Sequence, residues 1–218
     1  MSLLEQTVAR TALALPGATR VFRNHNIDFC CNGRISLREA AERAGLLPES
    51  LSAELEALPA GDSGERDWQS VDRQELIDHI LARYHDIHRQ QLPGLVRMAR
   101  RVELVHGERD ECPNGLADLL TALYQEMESH MQKEEQILFP MLRQGADPRV
   151  QGPITVMRHE HDDHGEHLRQ IVALTDNLTP PQGACTTWRA LYSGLDEFRS
   201  DLMQHIHLEN NLLFENAV

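Results

Sequence analysis

Four long segments after residue 70 repeat apolar residues in alternating steps of four and three, the spacing of one face of a packed helix. The second segment gives Leu116, Leu120, Leu123, Met127, His130, Glu134, Ile137 and Met141. The fourth gives Trp188, Leu191, Leu195, Phe198, Leu202, His205, Glu209 and Leu212. Each series is interrupted by one histidine and, a turn later, one glutamate. Because no strand-like alternation competes with this pattern, it predicts an all-α fold built on an antiparallel four-helix bundle.

Loop-forming residues divide the chain into three parts. We expect a small helical domain at residues 1–58, a linker rich in proline, glycine and charge at 59–70, and the bundle at 71–218. Within the small domain, Ser36 and Glu39 form a capping box that predicts a helix from Leu37. The bundle helices are expected at about Asp72–Leu104, Leu116–Arg143, Pro153–Asn177 and Thr186–Phe214. Pro93 and Pro140 fall inside them and predict kinks or early ends.

The composition excludes several classes of protein. With 21 basic and 34 acidic side chains, the formal net charge is −13, which argues against binding to nucleic acid or to anionic lipid. Apolar stretches are far shorter than the roughly 20 residues of a spanning helix, and the N-terminus lacks the features of a secretory signal. Four cysteines do not make a disulfide framework. We therefore expect a soluble cytoplasmic protein with reduced thiols.

Histidines repeat in register along the bundle. The segment from His85 and the segment from His161 share the pattern His-Asp-x-His-x-x-x-Leu, while His130 and His205 each precede a glutamate by four residues. The separations agree, with 45 residues from His85 to His130 and 44 from His161 to His205. Residues four apart share one helix face. The sequence therefore predicts a duplicated helical hairpin with one set of metal ligands in each half.

The residue types in this repeat favour iron. Bridging carboxylates offset the repulsion between two adjacent dications in a low-dielectric interior, and a mixed set of imidazoles and carboxylates inside a bundle favours iron over manganese or zinc. Periodicity places both His85 and His88 near the apolar face, and both His161 and His164. On spacing alone, therefore, either member of each pair could be the ligand.

Three sequence segments carry a resemblance to a known family. The run from His130 to Pro140 resembles the second-helix motif of hemerythrin-like bundles, and Arg83-Tyr84-His85-Asp86 and Asp28-Phe29-Cys30-Cys31 add further matches. Together they resemble the di-iron proteins that repair iron–sulfur clusters, the repair-of-iron-centres family. The resemblance covers nearly the whole chain, and the adjacent cysteines separate this family from other hemerythrin-like proteins.

The resemblance implies two non-haem iron ions, bridged by carboxylates and by an oxo or hydroxo group. It selects the following metal ligands: His85, His130, Glu134, His161, His205 and Glu209. It also matches Glu126 and Glu160 to carboxylates along an access path to the metals. His159 and His207 are out of phase with the neighbouring ligands; we expect His159 to lie at the surface.

The implied function is repair of iron–sulfur clusters damaged by nitrosative and oxidative stress, by donation of iron to damaged or apo iron–sulfur proteins. Nitric oxide reduction or scavenging at the same centre is an alternative that would make the protein an enzyme. Binding or sensing of O₂ or nitric oxide is another. Cys30 and Cys31 are candidates for redox or nitrosylation chemistry, with a pair of structural thiols as the competing interpretation. A homodimer is compatible with the sequence.

Overall fold

The structure is a computed structural model that describes residues 2–59, 68–145 and 147–217. Over these residues it contains helices and turns but no strand, apart from one isolated bridge between Thr7 and Ser36. The predicted all-α class is therefore confirmed. Most of the predicted linker, residues 60–67, lies outside the described residues. Among the described helices, none combines the length and the hydropathy of a transmembrane span.

The N-terminal region forms four short helices: α1 at Val8–Ala14, α2 at Ala18–Asn24, α3 at Leu37–Arg43 and α4 at Pro48–Glu56. The predicted cap of α3 is present, since the Ser36 hydroxyl accepts a hydrogen bond from the backbone N–H of Glu39 over 3.1 Å. Gly45 follows α3 with a φ of +71°, a conformation that glycine adopts without strain. Phe22, Phe29, Leu37 and Leu55 are fully buried in this region.

By its contacts, the chain divides into two compact units. The first joins Met1–Leu76 to Met203–Ala217, and the second comprises Ile77–Leu202. The N-terminal helices thus share a unit with the last turns of the chain. Asn210 donates a hydrogen bond from Nδ2 to the carbonyl oxygen of Cys30 over 3.1 Å, and Arg34 forms an ion pair with Glu215.

The long helices run close to the predicted bounds. They are α5 at Arg73–Ile80, α6 at Asp86–His106, α7 at Leu116–Lys133, α8 at Phe139–Arg143, α9 at Gln151–Leu174 and α10 at Thr186–Leu208. In the second unit, the predicted apolar faces of α6, α7, α9 and the first part of α10 are buried, with Leu92, Leu120, Ile154 and Leu191 at most 4% exposed. This unit is the four-helix bundle. Neither proline ends its helix, since α6 continues past Pro93 and Pro140 lies in the first turn of α8.

Three π-helical turns lengthen these helices, and the sequence pattern did not predict them. They lie at Leu81–His85 between α5 and α6, at Glu134–Leu138 between α7 and α8, and at Glu209–Leu213 after α10. A π turn accommodates one extra residue and is often found at functional sites. Each of these turns begins or ends at a predicted metal ligand: His85, Glu134 or Glu209.

Candidate metal centre

Four predicted ligands come together inside the second unit. His85 from the first π turn, His130 from α7 and His161 from α9 surround the carboxylate of Glu134, and all four side chains are at most 2% exposed. The Nε2 atoms of His85 and His130 each lie 3.4 Å from Glu134 Oε2. The Nε2 atoms of His130 and His161 are 3.1 Å apart. Donor atoms from three helical segments therefore converge on one buried carboxylate.

The spacing of these donor atoms fits a shared cation. Two neighbouring ligands on an octahedral ion, each about 2.1 Å from it, lie about 3.0 Å apart, using metal–nitrogen distances like those of zinc. The separation of 3.1 Å between His130 Nε2 and His161 Nε2 matches that value. A buried carboxylate is costly unless it is paired with positive charge, and Glu134 is 0% exposed. A cation among these side chains would supply that charge.

Two further carboxylates hold two of the predicted ligand histidines, His85 and His130, from their outer edges. Glu135 Oε1 accepts a hydrogen bond from His85 Nδ1 over 2.8 Å, and Glu160 Oε2 accepts one from His130 Nδ1 over 2.9 Å. Since an ionised carboxylate can only accept, the Nδ1 atoms carry the protons. Nε2 of each neutral ring is then the basic nitrogen, and it is the atom directed toward Glu134.

Basic side chains neutralise these outer carboxylates. Arg89 donates to Glu135 over 2.8 Å and to Glu128 over 2.8 Å, while Lys133 pairs with Glu160. Burial alone would raise the pKa of Glu135, but hydrogen bonds from Arg89 and His85 outweigh it and leave that pKa lowered. Hydrogen bonding from His130, helped by Lys133, lowers the pKa of Glu160 to about 2. Both groups are therefore anionic at neutral pH.

The first unit contains the remaining two predicted ligands. His205, near the end of α10, and Glu209, which opens the last π turn, are 1% and 0% exposed. His205 Nε2 lies 3.1 Å from Glu209 Oε1. This separation is again that of two neighbouring ligands on one ion, and the pair matches the His-x-x-x-Glu arrangement of His130 and Glu134.

The histidines beside the ligands have different surroundings. His88 is fully buried and lies between rings, with its centroid 6.2 Å from that of Tyr84 and 5.4 Å from that of Phe198. His164 is also buried, and its ring meets that of His130 edge-on at 5.0 Å. His159 is exposed, as expected. His207 is 1% exposed and packs edge-on against Phe29 in the first unit.

The remaining predicted site residues are Glu126, Cys30 and Cys31. Glu126 is on α7 with a 49% exposed side chain, 3.4 Å from His167 Nδ1. In the first unit, the Sγ atoms of Cys30 and Cys31 are 3.6 Å apart, and the Cys30 thiol donates to Asp28 Oδ1 over 3.2 Å. Both cysteines are reduced. Their redox role and the access path through Glu126 and Glu160 stay predictions.

Sequence reasoning missed Glu135, Arg89 and Glu128. Glu135 directly follows a predicted ligand, and residues adjacent in a regular α-helix do not share a face. The π turn at Glu134–Leu138 is the local departure from that regularity. The spacing of His85 and Arg89 could have indicated this arrangement. Residues four apart share one helix face, so both side chains could reach one carboxylate, that of Glu135.

Comparisons with known proteins show what the whole chain is similar to. The family model of the hemerythrin HHE cation binding domain matches residues 76–217 of the sequence. The family model of a domain of unknown function (DUF542) matches residues 4–59. A protein of Pectobacterium atrosepticum named iron-sulfur cluster repair protein YtfE is 50% identical over 218 residues, which is 100% of this chain and 99% of that protein. A protein of Yersinia pestis with the same name is 51% identical over the same shares.

Proposed function

Because the chain belongs to the family of iron–sulfur cluster repair proteins with a hemerythrin HHE domain, we propose that it repairs damaged clusters by donating iron held in its bundle. The observation that carries this proposal is the buried set of His85, His130, His161 and Glu134, whose nitrogens and carboxylate lie 3.1–3.4 Å from their neighbours. Nitrogen and carboxylate donors of this kind suit iron.

We propose six residues as ligands of a dinuclear iron centre with an oxo or hydroxo bridge: His85, His130, Glu134, His161, His205 and Glu209. The first four are supported by their convergence in the second unit, and the last two by their equivalent spacing in the first. Bound iron supplies redox capacity and the metal to be delivered. Burial of all six side chains keeps bulk water away from the donor atoms.

The residues around the ligands have separate tasks in this proposal. Glu135 and Glu160 fix the proton on Nδ1 of His85 and His130, so that Nε2 is presented for ligation. The Glu160 side chain is 24% exposed and reaches from His130 to the surface residue Lys133, which supports a place for it on the path by which iron leaves. Glu126, more exposed on α7, would extend that path.

The proposed setting is the bacterial cytoplasm under nitrosative and oxidative stress. The clients would be iron–sulfur proteins whose clusters have lost iron. The choice of clients is supported by the name of the relatives, iron-sulfur cluster repair protein, and by their match over the full length of the chain. Nitric oxide reduction at the same centre is the alternative that the experiment below distinguishes.

Metal analysis of the purified protein tests the ligand set. We expect two irons per chain in the wild type, and their loss together in His130→Ala and Glu209→Ala. His85→Ala and His88→Ala form a matched pair, because both side chains are buried and lie one turn apart. Only His85→Ala should lose iron. Stoichiometric zinc, no metal, or loss of iron in His88→Ala alone would contradict the assignment.

Iron transfer tests the function. The iron-loaded wild type should deliver iron to an apo-ferredoxin and restore its cluster absorption when sulfide is supplied. The exposed variant His159→Ala serves as the control and should deliver iron at the wild-type rate. Repeated turnover of nitric oxide to N₂O with an added reductant, with the iron retained and none delivered, would instead establish the reductase alternative.

A further inference from the structure

A cluster of donor atoms in the first unit lies outside the proposed iron ligands. Asp28, Cys30 and Cys31 each offer one ligand atom, and these three atoms lie within 4.8 Å of one another. Cys30 is 3% exposed, whereas Asp28 and Cys31 are half-buried. The cluster therefore has an inner thiol and two donors that solvent reaches.

The distances in this cluster suit a thiolate-bound cation. Two thiolates on a tetrahedral cation, each about 2.3 Å from it, lie about 3.8 Å apart. The Sγ atoms of Cys30 and Cys31 are 3.6 Å apart, and Asp28 Oδ1 is 3.2 Å from Cys30 Sγ. A disulfide would require the two sulfur atoms to approach to about 2.0 Å. The observed spacing is thus closer to shared ligation than to a bond.

The backbone that carries the thiols is fixed by side chains at the end of the chain. Asn210 and Asn211 donate to the carbonyl oxygen of Cys30 over 3.1 and 3.4 Å, and His207 donates to that of Phe29 over 3.3 Å. Asn32 donates to the second carboxylate oxygen of Asp28 over 2.8 Å. The donors are therefore held in position before any cation arrives, which lowers the entropic cost of binding one.

We propose that Asp28, Cys30 and Cys31 form a second cation site, made of other residues than the six proposed iron ligands, for one borderline-soft divalent ion of the Zn²⁺ or Fe²⁺ class. Thiolate sulfur favours such ions over Mg²⁺ or Ca²⁺. Binding forms two metal–sulfur bonds and breaks two S–H bonds, and both protons leave to solvent. No electron transfer is involved. A dication replaces two protons, so the formal charge of the cluster is unchanged.

The electrostatics of the cluster agree with this site. The pKa of Cys30 is raised well above its ordinary value by the hydrogen bond with Cys31, by burial, and by the nearby negative charge of Cys31 and Asp28. Those neighbours oppose an unpaired thiolate. The same negative charge attracts a cation, and coordination then removes the thiol proton outright.

Titration of the full-length protein with Cd²⁺ tests the site, because thiolate-to-cadmium charge transfer absorbs in the ultraviolet and histidine or carboxylate ligation does not. We expect this absorption to saturate at one equivalent and to be reversed by competing Zn²⁺. Cys30→Ser should abolish it, and Asp28→Asn, which keeps the hydrogen-bond acceptor, should weaken binding about tenfold. The double variant Cys112→Ser/Cys185→Ser is the matched control and should titrate like the wild type.

Alkylation of the unaltered chain, followed by mass spectrometry, provides a measurement that does not depend on variants. One equivalent of Zn²⁺ should slow alkylation of Cys31 and leave that of Cys185, also half-buried, unchanged. Absence of a thiolate band, a band that survives in Cys30→Ser, or equal protection of both cysteines would overturn the proposal. None of these readouts depends on the six proposed iron ligands. Iron binding by those ligands can therefore fail or succeed independently of this cation site.

Discussion

At the scale of single residues, two of the histidines proposed as ligands, His85 and His130, are held by acidic neighbours as well as by packing. His85 is fixed between Glu134 and Glu135, and the ring of Phe139 stacks on it at 5.7 Å. Arg89 completes the arrangement by neutralising Glu135. Partners of this kind set the orientation and basicity of a metal-binding imidazole.

Glu135 and Glu128 provide a matched test of this role. Both carboxylates bind Arg89 and are about equally exposed, at 28% and 31%, but only Glu135 contacts a histidine ligand. We expect Glu135→Gln to lower the affinity for iron by about 10–100-fold and to accelerate its release to a chelator. Glu128→Gln, which removes the same charge, should change the affinity by less than about threefold. Equal effects would show that only the charge matters.

His207 predicts a dependence of stability on pH. Burial lowers its pKa to about 4 from an ordinary value of 6.5, despite the hydrogen bond to Phe29. Between those two pH values the unfolded chain binds more protons, so lowering the pH destabilises the fold by up to about 1.4 kcal/mol per pH unit. The loss begins as the pH falls below 6.5 and levels off below 4.

Urea denaturation of the metal-free protein at pH 7 and pH 5 measures this effect. The His207→Gln variant should lose less unfolding free energy between the two pH values than the wild type, whatever its stability at pH 7. The exposed variant His159→Gln is the control and should retain the wild-type difference. If His207→Gln shows the same pH difference as the wild type, burial of His207 does not contribute to it.

At the scale of helices, the π turns explain how apolar faces and ligands stay in phase along one continuous segment. At Glu134–Leu138, the N–H of Phe139 bonds to the carbonyl of Glu134. The extra residue changes the rotation of the chain, so that Glu134 at the start of the turn, Leu138 at its end, and Phe139 and Leu142 after it are all buried. A regular α-helix would place Glu134, Leu138 and Leu142 on one face but would turn Phe139 about 140° away from Glu134.

Deleting the exposed residue Gln136 tests the π turn. Removal of one residue should convert the turn to α-helix and rotate Phe139 by about 100°, away from His85. We expect iron affinity to fall at least about tenfold while far-ultraviolet circular dichroism stays helical. Gln136→Ala keeps the residue count and should bind iron like the wild type. Unchanged affinity in the deletion variant would mean that the turn has no part in the site.

The sequence predicted the helices well because burial of one helix face requires apolar residues at a period of about 3.6. The order of residues along the chain shows this period directly. The sequence did not predict the π turns, and for that reason it placed Ile137 on the buried face, whereas Ile137 is 52% exposed and Leu138 is buried instead. Spacing also left His85 and His88 equivalent. Their difference lies in neighbours distant in sequence, Glu135 for one and Phe198 for the other, which periodicity does not encode.

At the scale of the whole molecule, part of the negative charge of the chain is carried by acidic side chains that are buried or paired with basic ones. The formal charge of −13 includes Glu134 and Glu209, both 0% exposed, and Glu135 and Glu160, which are paired with basic side chains. The net charge therefore overstates what the surface presents, because some acidic residues serve the interior.

The first unit combines residues from both ends of the given sequence, so its assembly depends on the order in which the chain is synthesised. Asn210 and Cys30, which share a hydrogen bond, are 180 residues apart in sequence. The first unit therefore cannot be completed until residues 203–217 have been synthesised, and contacts of such long separation form slowly. His205 and Glu209 belong to this late segment. The proposed iron centre includes both side chains, so it cannot be complete before Glu209 has left the ribosome.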